Sequence, residues 1–117
     1  MTPPGDPRWI DVIEENAIRV GRCEVVQLGT DRVLLAHTST GLFATQVRCT
    51  HARVDLGPGR LNDGLIECPM HGALFDPETG DVLSGPAQEP IETFPVDVVD
   101  GIVRVLCSLA QEHDVDA

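Results

Sequence analysis

Short runs of apolar and polar residues, each closed by Gly, Asp, Asn or Pro, make up most of this chain. The run at 8–12, Arg-Trp-Ile-Asp-Val, predicts a first strand, with Trp9 expected to anchor the core. Runs at 22–28, 32–38 and 42–47 are separated by Gly29-Thr30-Asp31 and Ser39-Thr40-Gly41, a spacing that predicts a β-meander. Glu14-Glu15-Asn16-Ala17 is too short for a regular helix and predicts a turn. Further on, a short strand at 60–61 and a second at 65–67 flank Asn62-Asp63-Gly64, a tight-turn signal that predicts a hairpin. Runs at 74–76 and 81–83 flank Pro77-Glu78-Thr79-Gly80 and predict another. A Pro-rich loop spans 84–90. A last hairpin is expected from 91–99 and 102–107, turned at Asp100-Gly101. The pattern is all-β and antiparallel, without internal repeats.

Length and charge narrow the picture. The 117 residues suit one domain with a modest core, expected to cover 1–117 with mobile tails at 1–7 and 109–117. Acidic side chains number 19 against 8 basic ones, a net charge of −11. No basic run suggests nucleic-acid binding. No apolar stretch reaches the roughly 18 residues of a membrane span, and the N-terminus lacks the basic and apolar regions of a signal peptide. A cytoplasmic protein is expected, bound to neither nucleic acid nor membrane.

The candidate chemistry lies between residues 49 and 72. Cys49-Thr50-His51 opens this stretch and Cys68-Pro69-Met70-His71-Gly72 closes it, so each half supplies one Cys and one His. The hairpin expected between the halves would bring both loops to one end. Two thiolates and two imidazoles can hold zinc tetrahedrally, although common zinc modules pair like with like in each half. The mixed pairs also suit a 2Fe–2S cluster in which two His replace two Cys on one iron. The other Cys and His residues have plainer readings. Cys23 and Cys107 are expected as buried structural thiols, His37 as a structural histidine and His113 as a solvated one.

The pair CTH and CPMHG resembles the Rieske-type ferredoxins, electron carriers of bacterial multicomponent aromatic-ring-hydroxylating dioxygenases. The resemblance runs from about Trp9 to Cys107. It includes Phe75, Gly80, the Gly85-Pro86-Ala87 loop and the Phe94-Pro95-Val96 strand. It implies a Rieske fold: an antiparallel β-sandwich or barrel base bearing a small cluster-binding subdomain at about 47–87. It implies one Rieske 2Fe–2S cluster, with Cys49 and Cys68 on one iron and His51 and His71 on the other. Gly85, Pro86 and Ala87 would form a shielding loop, and Met70, Gly72, Ala73 and Phe75 would surround the ligands. The function implied is one-electron transfer, without substrate chemistry, from a flavin-dependent ferredoxin reductase to a terminal oxygenase, by a monomer. Alternatives left open are a small Rieske subunit of another oxidoreductase and a zinc-stapled module. A terminal oxygenase is rejected, because only His37 and His113 remain to hold a mononuclear iron.

Two departures matter. Respiratory Rieske proteins carry an additional Cys in each ligand loop and join them by a disulfide; here Val54 and Met70 stand at those positions. They also place Ser and Tyr hydroxyls against cluster sulfur, where this chain has Ala73 and Phe75. Both departures point to the low-potential, soluble branch.

Overall fold

The computed structural model describes residues 8–28, 31–50, 54–56, 59–70, 72–85 and 89–107. Eleven strands are β1 (Arg8–Glu14), β2 (Arg22–Leu28), β3 (Asp31–Thr38), β4 (Gly41–Thr45), β5 (Gly59–Arg60), β6 (Ile66–Glu67), β7 (Leu74–Phe75), β8 (Val82–Ser84), β9 (Thr93–Phe94), β10 (Val96–Val99) and β11 (Ile102–Cys107). They form three antiparallel sheets, in the orders β1-β11-β10, β5-β2-β3-β4-β9 and β6-β7-β8. The all-β expectation holds. Glu15–Ala17 is a single 3₁₀ turn, short as expected.

The five-stranded sheet lies between two cores, because alternate residues of a strand face opposite sides. Val26, Leu28, Val33, Leu35 and Ala44 pack with Val103, Val105 and Cys107 of the β1-β11-β10 sheet. These two sheets form the sandwich base. From the other face Cys23, Leu34 and Ala36 pack against Cys49, Leu56, Ile66, Cys68, Ala73 and Phe75. The second core therefore joins the base to the segment that carries both candidate ligand loops.

Three expectations are corrected. The run at 91–99 is two strands in two sheets. Thr93 pairs with Thr45 and Phe94 with Ala44, whereas Val96 pairs with Val105. The break falls at Pro95, which has no N–H to donate to a ladder; its carbonyl still accepts from the Leu106 N–H at 3.0 Å. The hairpin expected at 60–67 is one bridge long. Asn62 and Leu65 exchange both backbone hydrogen bonds, at 2.7 and 2.9 Å, around Asp63 and Gly64, both at positive φ. Beyond that turn the arms separate. Arg60 pairs with Arg22 in the five-stranded sheet, and Ile66 with Phe75 in the small one. Sheet membership, not hairpin length, sets where the two ligand loops meet.

Trp9 is the third correction. It is 39% exposed rather than a core anchor. Arg104 lies over its ring, 5.6 Å from the centroid, and pairs with Asp11 at 3.3 Å. The ring covers a cation on the outer face of the β1-β11-β10 sheet.

Candidate metal centre

The two candidate ligand loops share one backbone design. Each begins at its cysteine, and each cysteine N–H donates to the carbonyl five residues on: Cys49 to Val54 at 2.9 Å and Cys68 to Ala73 at 2.8 Å. Leu56 N–H donates to the Val47 carbonyl at 2.7 Å, and Arg48 bridges Asp55, closing the neck of the first loop. In the second, Gly72 N–H turns back to the Cys68 carbonyl at 3.0 Å, with Gly72 at a φ of 78°. These bonds satisfy the backbone N–H of each cysteine without water, which suits the burial of both residues.

Both are. Cys49 and Cys68 are 4% and 1% exposed and belong to the same core, with Ala73 and Phe75 fully buried among them. Met70 is different: it is 56% exposed beside the buried Cys68. His51, His71, Pro86 and Ala87 lie outside the described residues, as do Arg53, His113 and the tails at 1–7 and 109–117. Among the described residues no group of three or more His, Cys, Asp or Glu side chains gathers to hold a metal. That follows from the donor set, of which the described residues contain only Cys49 and Cys68.

The loop at 84–90 meets both ligand loops. A Cβ placed on Gly85 would lie 2.5 Å from Ala73 Cα and 3.0 Å from Ala73 N. Gly85 also sits at a φ of 94°, a region that side chains resist. From the first loop, Thr50 Oγ1 donates to the Glu89 carbonyl at 2.7 Å. The loop is thus pinned at one end to the second ligand loop and at the other to the first.

Sequence reasoning missed several supports. Gln46 Nε2 donates to the Arg48 carbonyl at 2.5 Å, while its Oε1 accepts from the Glu92 N–H at 2.7 Å. Asp55 in the first loop accepts from Arg32 of β3 at 2.9 and 3.3 Å. The hydrogen bond and charge of Arg32 hold the Asp55 carboxyl below its ordinary range, and Arg48 adds to this. Spacing shows none of these contacts, because each joins segments far apart in the chain or uses backbone atoms.

Cys23, Cys107 and His37 behave as expected. Cys23 is buried, its thiol directed to the Gly59 carbonyl at 3.6 Å; desolvation pushes its pKa up and keeps it a thiol. His37 Nδ1–H donates to the Ile18 carbonyl at 2.7 Å, which fixes a loop and explains a structural histidine. Cys107 is buried in the core of the sandwich.

Two buried cysteines on matched loops, over an apolar core, suit an iron–sulfur cluster held by thiolate. The comparisons agree. Residues 8–95 match the model of the Rieske [2Fe-2S] domain. The anthranilate 1,2-dioxygenase ferredoxin subunit of Burkholderia cepacia is 41% identical over 64 residues, 55% of this chain and 59% of that one. The 3-phenylpropionate/cinnamic acid dioxygenase ferredoxin subunit of Photorhabdus laumondii is 37% identical over 83 residues, 70% of this chain and 79% of that one. Among solved structures, a chain of the carbazole 1,9a-dioxygenase complex of reduced oxygenase and oxidised ferredoxin superposes with a TM-score of 0.76 at 31% identity, over 84% of this chain and 92% of that one. Together, the two cysteine loops on a common core and these matches show that the chain belongs to the Rieske [2Fe-2S] family, among the ferredoxin components of aromatic-ring dioxygenase systems.

Proposed function

We propose that Cys49 and Cys68 hold one iron of the Rieske cluster and His51 and His71 the other. In this reading the chain carries single electrons from a flavin-dependent ferredoxin reductase to a terminal aromatic-ring dioxygenase, as a cytoplasmic monomer. Among the described residues no helix is long and apolar enough to cross a membrane. Bound in these loops, the cluster supplies one-electron oxidation and reduction.

The chain's own residues do the rest. Cys49 and Cys68 supply thiolates from a buried setting, where water has little access to the sulfur. Ala73 and Phe75 wall the centre with apolar surface. In this reading the loop that contains Gly85, Pro86 and Ala87 shields it, a role that the Gly85 approach to Ala73 and the Thr50 bond to Glu89 support. Met70 and Gly72 shape the second loop; Met70, exposed, offers a contact for a partner beside the centre.

The observation that carries this reading is the burial of Cys49 and Cys68 in one core, each at the neck of a loop with the same backbone closure. The test is metal analysis with electron paramagnetic resonance on the reduced protein. Two irons per chain and the rhombic signal of a cluster with two imidazole ligands are expected. His51→Cys and His71→Cys should each alter the signal, and His37→Ala should leave it intact. Stoichiometric zinc in protein made with ample iron would refute the reading.

A further inference from the structure

The chain's basic residues are few and unevenly used. All eight are arginines. Arg32 and Arg104 are tied to Asp55 and Asp11. Three others, Arg19, Arg22 and Arg60, line one groove of about 530 Å³ with Glu24 and the 61%-exposed Val20. None of these three has an ion pair among the described residues, in a chain with 19 carboxylates.

Their arrangement works against the fold. Arg22 and Arg60 are direct cross-strand partners on β2 and β5. Like charges placed opposite one another destabilise a sheet. A fold with so many acids available could have placed one at either position. With both cations opposed and without an ion pair among the described residues, their donors are open to an outside anion.

The register also gives the groove its direction. Cys23 and Leu34 face the core of the ligand loops, so Arg22, one residue earlier on β2, faces the other side, and Arg60 opposite it does the same. Along the strands, Arg22 pairs with His37, whereas the strand that leads into the first ligand loop ends at Thr45, paired with Leu34. Three residues of β3 separate these levels, about 10 Å.

We propose that the groove lined by Arg19, Arg22 and Arg60 docks a carboxylate-rich surface of a protein partner and holds it on the face opposite the ligand loops, so that the metal centre stays open. This rests on the electron-carrier reading for the identity of the partner class, an acidic component of the same system. An open groove with exposed guanidinium groups holds a small anion poorly, because water competes at every donor. A protein face presents several carboxylates at fixed spacing, which suits the planar forks of arginine. The exposed Val20 adds apolar contact. Held there, the carrier could exchange electrons with a second component without first dissociating.

Calorimetry on the iron-loaded protein with a hexaglutamate peptide, at about 50 mM salt, tests the groove, with tripolyphosphate as the small-anion comparison. Hexaglutamate is expected to bind more tightly than tripolyphosphate. The double variant Arg22→Gln, Arg60→Gln is expected to weaken the peptide about tenfold, with unchanged visible absorption and an equal or higher melting temperature, since opposed charges are removed. Reduction by photoreduced flavin is expected at the same rate with and without bound peptide. No peptide binding, affinity unaffected by the double substitution, tripolyphosphate binding as tightly as peptide, a lower melting temperature in the variant, or reduction slowed by peptide would each overturn the proposal. Iron content and a redox titration on the same preparation test the carrier reading separately: a redox-silent protein that still binds hexaglutamate in the groove fails that reading alone.

Discussion

Gly85 lies against Ala73 so closely that a methyl group on Gly85 would come within 2.5 Å of Ala73 Cα. One residue belongs to the loop at 84–90 and the other to the second ligand loop, so the contact joins the two loops, and in the proposed reading it holds the first over the centre. Gly85→Ala would have to displace backbone, and it would also adopt a left-handed φ. The expected cost is about 1–3 kcal/mol. Chemical denaturation followed by visible absorption should show earlier loss of the cluster colour. Gly64→Ala is the comparison: it shares the positive φ but meets nothing within 4 Å, and it should cost about 1 kcal/mol with no change in cluster spectrum. Equal colour retention in Gly85→Ala and wild type would remove the covering role.

The Arg32–Asp55 pair ties β3 to the first ligand loop. Both side chains are more than one-third exposed, so the pair contributes only about 0.5 kcal/mol. The sign of its pH dependence follows from the lowered Asp55 pKa. A carboxyl whose folded pKa is depressed adds stability above its unfolded pKa, about 3.9, and loses it as pH falls through the folded value. Arg32→Gln should therefore lower stability at neutral pH slightly and flatten the acid limb below about pH 4. Denaturation midpoints measured from pH 7 down to 3 check this. A wild-type and variant difference that grows on acidification would contradict the assignment.

Ala73 and Phe75 are both fully buried beside Cys68, and neither carries a hydroxyl. Hydrogen bonds to cluster sulfur favour the reduced, more negative state and raise the potential. Without these two, a potential near the low end of the Rieske range is expected, about −150 mV. Phe75→Tyr and Ala73→Ser should each raise it by about 40 mV if the new hydroxyl bond is about 1 kcal/mol stronger in the reduced state. The serine must fit beside Gly85, so the tyrosine is the cleaner variant. Film voltammetry at fixed pH measures both. A wild-type potential well above zero, or a crystal structure showing the new bond with no shift, would defeat this explanation.

Net charge acts at longer range. With −11 on the chain, electron transfer from the reductase should slow as salt rises, since screening shortens attraction to about 10 Å at 0.1 M. Stopped-flow rates between low and moderate salt give the slope. A rate that is flat or rises with salt would locate the encounter at apolar or arginine-bearing surface instead.

Much of this protein is legible in local sequence. Strands 22–28 and 102–107 stand where the runs predict them, because turn residues end them and their alternation needs no distant partner to be recognised. The candidate ligands are legible for a similar reason: Cys and His in short, mixed pairs satisfy few chemistries. The inert roles of Cys23 and His37 followed from ordinary expectations of burial and hydrogen bonding.

Other features belong to the tertiary structure. Trp9 looked like a core anchor, but its side of β1 faces outward, where Arg104 stacks on it; facing is set by the register with β11, which a single strand does not contain. The stretch at 91–99 reads as continuous, yet Pro95 lets it leave one sheet and enter another. The arms around Asp63-Gly64 look like one hairpin, but each pairs with a different neighbour, β2 for Gly59–Arg60 and β7 for Ile66–Glu67. Likewise the pinning of the loop at 84–90 through Gly85 and Glu89, and the opposition of Arg22 and Arg60, join residues far apart in the chain. Local propensity and ligand spacing are written along the chain. Which faces meet is decided only when sheets pack, because burial energy depends on area shared between segments and not on either segment alone.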